Sequence, residues 1–106
     1  MSDKYNGWTN YETWNAALWM DNDEFAYNSV REMAQGCYDT AAANNVLTRE
    51  EVATQELAET LKQGHEDAMP EVSGVYADLL NAASSEINWD EIAAHLIAEV
   101  DKAEAE

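Results

Sequence analysis

The sequence predicts an all-α fold, a small single-domain bundle of about five helices, and three observations carry that prediction. Helix-start signals recur along the chain, apolar residues between them return at helical spacing, and no run alternates convincingly with a period of two. With 106 residues, 46% of them hydrophobic, the chain can close one compact core, and no internal repeat or domain boundary interrupts it.

Taken in order, residues 1–8 read as a short extended arm packed by Tyr5 and Trp8. Thr9 and Glu12 give a weak capping signal for a first helix near residues 10–20, on which Tyr11, Trp14 and Leu18 share a face. Asp21 to Asp23 supply turn chemistry, and a second helix near 23–43 carries the stripe Val30, Met33, Ala34, Cys37 and Ala41. After the break at Asn44 and Asn45, Thr48 and Glu51 form a full capping box: the hydroxyl takes the Glu51 amide and the carboxylate reaches back. Leu47 and Val52 flank it as a hydrophobic staple. The third helix then runs near 49–63 on Val52, Leu57 and Leu61, with Gly64 placed as its C′ residue. Pro70 opens the next break, and Val72, Val75, Tyr76, Leu79 and Ala83 define a fourth helix near 71–84. Asn88 with Glu91, stapled by Ile87 and Ile92, starts a fifth near 89–104 on Trp89, Ile92, Leu96 and Val100.

Charge is the dominant compositional feature. The chain holds 22 Asp and Glu against 5 Lys and Arg, a net −17, where a small soluble domain usually carries a magnitude of about 2 to 8. Self-repulsion at that density destabilises the compact state, so solubility alone does not explain it. The five basic residues, Lys4, Arg31, Arg49, Lys62 and Lys102, are scattered, which disfavours direct nucleic-acid binding because phosphate neutralisation requires clustered cations. The expected partner is therefore cationic. Residues 1–48 carry 7 acidic and 2 basic side chains, and residues 49–106 carry 15 and 3, so the stronger field lies in the C-terminal half.

Stepping the helices at about 100° per residue puts Glu51, Glu59 and Glu66 on the outward side of the third helix. Asp67, Glu71, Asp78, Asp90, Glu91, Glu99 and Asp101 extend the acidic surface through the later helices, and together these carboxylates form the expected partner-binding set. Carboxylates three or four positions apart lie roughly 5 to 6 Å apart at Cβ, so such rows present negative charge at a pitch comparable to a nucleic-acid backbone. Trp19 falls off the Tyr11–Trp14–Leu18 stripe and joins the set as a surface contact.

Other chemistries find little support. Asp21, Asp23 and Glu32 sit at positions 1, 3 and 12 of a calcium loop, but Phe25 replaces an oxygen ligand and Ala26 replaces the turn glycine. His65 reads as a loop residue, and His95, with Glu91 and Glu99 four positions to either side, reads as a salt-bridged surface residue rather than a metal ligand. Cys37 lies on an apolar stripe without an arranged base. Four glycines and no phosphate-cradling loop leave no expected cofactor, metal or catalytic residue. A single cysteine and the absence of a leader pattern or of an apolar run of about 18 residues point to the cytoplasm and away from a membrane.

The most specific string is Tyr5-Asn6-Gly7-Trp8-Thr9-Asn10-Tyr11-Glu12-Thr13-Trp14-Asn15, followed by Leu18-Trp19 and Asn22-Asp23. It resembles the opening of small proteins encoded by phages, plasmids and other mobile elements. In size, helical pattern and acidity the chain is also similar in kind to the DNA-mimic antirestriction and anti-CRISPR proteins of such elements, a likeness that carries over no individual residue. It implies an inhibitor that occupies the DNA-binding site of a basic host protein or ribonucleoprotein complex, either a CRISPR effector or a restriction enzyme. The alternative is a non-mimic interaction module or adaptor, as monomer or homodimer, that uses the aromatic N-terminal segment. Adaptation to a saline cytoplasm is a further reading, which a requirement for molar salt to fold would support.

Overall fold

The computed structural model describes residues 5–102. Its elements are α1 (Tyr11–Asn22), α2 (Glu24–Thr40), α3 (Arg49–Ala68), α4 (Val75–Ser85) and α5 (Trp89–Ala98), so the architecture is all-α. Helices α2, α3 and α5 pack on one another, and α1 lies against α2 and α5. Leu57, Ile92 and Ile97 fill the centre, and Ala17, Ala34, Ala53, Ala58 and Ala93 line the crossings, where small side chains let the backbones approach closely.

Both strong helix starts form, but the second is only half of the expected box, because the Glu91 carboxylate accepts from Thr9 N and leaves Asn88 N to donate to Thr13 Oγ1. Thr48 and Glu51 make the reciprocal capping box, and Asn88 accepts from the Glu91 amide at 3.0 Å. The first helix corrects the sequence reading: Asn10, not Thr9, is its N-cap, accepting from Thr13 N at 2.9 Å. Its buried face is Thr13 and Ala17, while Tyr11 is exposed and Trp14 and Leu18 are half-buried. The expected stripe packs elsewhere, because Tyr5 stacks on Tyr11 and Trp14 at 5.2 and 4.7 Å between ring centroids.

Four boundaries also move, most of them because of contacts distant in sequence. α2 stops at Thr40 rather than residue 43 because Arg49 folds over its end: the guanidinium donates to the Tyr38 and Asp39 carbonyls and lies 4.1 Å from the Tyr38 ring centroid. α3 continues through Gly64 to Ala68, since His65 is held in the helix by Ser84, 3.0 Å from its Nε2, and by Trp89. α4 starts only at Val75, leaving Glu71 and Val72 in the preceding loop, because Gly74 adopts φ +65°, a conformation outside the helix that L side chains rarely take. α5 ends at Ala98, where the Gln35 amide clamps the Asp101 backbone through both its N–H (2.9 Å) and its C=O (3.1 Å). The expected continuation to residues 103 and 104 lies outside the described residues, as do residues 1–4 of the expected arm.

What is described of that arm is a tight turn. Tyr5 and Trp8 pair in both directions, N to O at 2.7 and 2.9 Å, across Asn6 and Gly7, whose φ values of +50° and +89° suit a type I′ turn. The turn sends Tyr5 onto α1 and Trp8 onto His95 of α5, 4.2 Å away.

Candidate functional site

The aromatic opening string is largely a fastener between the N-terminus and the α4–α5 corner. Thr13 Oγ1 is buried, donates to Asn10 Oδ1 at 2.6 Å and accepts from Asn88 N at 2.8 Å, so the N-caps of α1 and α5 are joined through one hydroxyl. Asn10 Nδ2 donates to the Glu86 carbonyl at 2.7 Å, and Thr9 N donates to Glu91 Oε1 at 3.0 Å. The asparagine and threonines of the string are polar because they satisfy backbone groups where three helix ends meet.

The carboxylates expected to form one surface divide into two groups. Glu51 holds the Thr48 amide, Glu91 holds the Thr9 amide, and Glu99 accepts from Arg31 at 3.2 Å, so all three stabilise the fold. Asp101 is pinned at its backbone. Glu59, Glu66, Glu71, Asp78 and Asp90 are exposed and have no partner among the described residues; Asp67, also exposed, accepts only from Gln63 one turn away. The corrected picture of His95 follows: it stacks on Trp8, and its expected partners Glu91 and Glu99 face Thr9 and Arg31 instead.

Position along the helices separates these acids further. Every helix has an acidic residue in its first turn, including Glu51, Asp78, Asp90 and Glu91 of the expected set, where the positive end of the helix dipole stabilises each by about 0.3–1 kcal/mol. Glu66 and Asp67 lie at the opposite end of α3, three residues or fewer from Ala68, where the same dipole repels a carboxylate. Helix stability therefore does not explain their presence.

The cations sharpen this field. Arg31 bridges α1, α2 and α5, reaching Asp21 at 3.3 Å and Glu99 at 3.2 Å while lying 3.8 Å over the Tyr27 ring. Arg49 closes the end of α2. With both arginines turned inward, the exposed cations among the described residues are Lys62 and Lys102; Lys62 stands between Glu59 and Glu66 on α3.

A second feature escaped the sequence reading. Trp19 is 66% exposed, as expected, but it belongs to an apolar groove of about 640 Å³ whose walls are Trp19 and Met20 of α1, Phe25 and Met33 of α2, and Leu80 and Ala83 of α4. Phe25 is 81% exposed on it. The far wall, α4, has no buried residue at all: Val75, Tyr76 and Leu79, expected to face the core, are each more than half exposed. No separate signal in the sequence marked this, because α4 is as amphipathic as the helices that pack, with Asp78, Asn81, Ser84 and Ser85 on its polar arc.

Cys37 is half-buried on α2; burial first, and the charge of Glu56 second, push its thiol above the ordinary value, so it stays protonated and weakly nucleophilic at neutral pH.

These features define a small acidic helical protein with a partly open apolar face. The chain belongs to DUF7249, a family of unknown function, whose model matches residues 1–105. No curated protein and no solved structure matches it. No helix among the described residues is long and apolar enough to cross a membrane.

Proposed function

We propose that this chain is a non-enzymatic acidic competitor, an inhibitor from a phage or other mobile element that docks on the DNA-binding surface of a basic host protein or ribonucleoprotein in the cytoplasm and keeps DNA off it. The observation that carries the reading is the net acidic surface of α3 and its surroundings: Glu59, Glu66 and Asp67 face solvent and outnumber Lys62 beside them, two of the three lie against the helix dipole, and the arginines are engaged inside the fold. A CRISPR effector and a restriction enzyme both offer a channel of the matching sign. Opposed fields would make association fast and salt-sensitive, since a Debye length of about 8 Å at physiological ionic strength screens all but close pairs.

The test is a competition: a labelled duplex is bound to a purified basic target, and the protein is titrated in at two salt concentrations. Displacement of the duplex that weakens as salt rises is expected. A gel shift of DNA by the protein alone, or binding to the target with DNA occupancy unchanged, counts against it. The second reading, an interaction module that does not compete with nucleic acid, is favoured by the apolar groove rather than by the aromatic N-terminal segment, whose Tyr5, Trp8 and Trp14 rings stack within the fold.

A further inference from the structure

The groove runs along α4, the helix that buries none of its residues. Val30 and Leu61, both buried, lie at its base; Trp19 and Phe25 stand on one side, and Leu80 and Ala83 of α4 on the other. Tyr76, 70% exposed, lies one turn before Leu80 on the same side of α4 and extends the apolar wall beyond the body. Unlike the scattered apolar residues of an ordinary surface, Trp19, Met20, Phe25, Met33 and Leu80 line one common groove, and such grouping marks a contact site.

Its rim is acidic. Glu12 lines the groove directly, Asp23 caps α2 two residues before Phe25, Glu32 precedes Met33, and Asp67 precedes Ala68, each of these last two about 100° round its helix from a lining residue. No Lys or Arg lines the groove among the described residues. A second copy of the chain would bring another −17 against this rim, so charge argues for a partner of opposite sign.

We propose that the groove between α1–α2 and α4 receives an amphipathic helix of the partner, with its apolar face on Trp19, Phe25 and Leu80 and its Lys or Arg flanks over Glu12, Glu32 and Asp67. This rests on the reading that the partner is basic and assigns that partner's docking element. An amphipathic helix suits the site because anchors at i, i+3, i+4 and i+7 fill a groove walled by helices.

The experiment titrates the full chain with three peptides of about 18 residues, roughly 27 Å of helix: an amphipathic Leu/Lys helix, an oligolysine of equal charge, and an amphipathic Leu/Glu helix. Binding is read by tryptophan fluorescence and by amide chemical shifts, for the parent and for Trp19→Ala/Phe25→Ala, which alters exposed side chains and whose fold is checked by circular dichroism. The Leu/Lys peptide should shift α1, α2 and α4 resonances around the groove and lose roughly tenfold or more in affinity in the double variant, as a central aromatic anchor would. Oligolysine should bind weakly, with shifts near Glu59 and Glu66 instead. Shifts from the Leu/Lys peptide that merely reproduce those of oligolysine, or equal affinity in the double variant, would overturn the groove assignment. Equal binding of the Leu/Glu peptide would overturn its charge component, and a parent dimer in sedimentation that the double variant dissociates would make a second copy the occupant. If neither cationic peptide binds at low salt, the basic-partner reading itself fails.

Discussion

Helices α4 and α5 are neighbours in sequence, 11 and 10 residues long, and both open on a large apolar residue, yet they have opposite fates. α5 buries Ile92, Ala93, Leu96 and Ile97. α4 buries none of its residues. The difference originates at their N-termini and in what meets them. Asn88 and Glu91 tie the start of α5 to Thr13 and Thr9, which sets its apolar face against α2 and α3. The start of α4 is a glycine without a side-chain cap, after a loop containing Pro70, and the described contact that fixes it to α3 is Ser84 with His65 near its far end. Apolarity alone does not bury a helix; an anchored terminus and a facing partner do.

The largest effect that tests this contrast is a pair of truncations. Ile92→Ala should destabilise by about 2–5 kcal/mol, since it removes a fully buried side chain from the centre of the core. Leu79→Ala should stay within about 0.5 kcal/mol, as an exposed site does. Denaturant midpoints of the two variants decide it. A large loss for Leu79→Ala would mean that α4 packs in solution as α5 does, and the contrast would collapse.

The second test reaches the anchor. Thr13→Val keeps the buried shape but leaves the Asn88 amide without its acceptor, and should cost about 1–3 kcal/mol. Asn88→Ala and Thr48→Ala each remove an N-cap and should cost about 1 kcal/mol. Equilibrium unfolding in urea that ranks Thr13→Val below Thr48→Ala would show that the three-helix junction contributes less than a single cap.

Much of this fold was legible because local chemistry specified it. Thr48 with Glu51 and Asn88 with Glu91 are read within four residues, and the Asn44 turn, whose Oδ1 accepts from the Val46 and Leu47 amides at 2.8 Å each, stands where an Asn pair announced a break. What failed was set by distant residues. Gly64 looked like a helix end until Ser84 and Trp89 closed on His65, and α1 turned its face because Tyr5 took the rings expected in the core. The candidate site was legible only as charge. Its acids could be counted and placed on helices, but that Glu91 and Glu99 serve Thr9 and Arg31, more than sixty residues away in sequence, is a tertiary fact. The groove was hidden for the converse reason: a spacing that fits a core does not tell whether the core reaches it.

The smallest expected effect on folding separates structure from recognition within the same two helices. Glu91 and Asp78 both sit in a first turn, so both gain from the helix dipole. Glu91 also accepts the Thr9 amide at 3.0 Å and is half-buried, whereas Asp78 is exposed and has no partner among the described residues. Glu91→Gln weakens a charge-assisted bond at the junction and should lower stability by about 1 kcal/mol. Asp78→Asn gives up only a solvated dipole term on a weakly held helix, so its cost should be a few tenths of a kcal/mol. Binding to a basic target should rank them in reverse, because Asp78 contributes its full charge outward while the charge of Glu91 is turned to the Thr9 amide. Calorimetry of both variants at low and physiological salt, beside their unfolding curves, reads the two rankings together. If Glu91→Gln weakens binding more than Asp78→Asn while both remain folded, the carboxylates that hold the fold also carry recognition, and the division between a structural and a presenting set of acids is wrong.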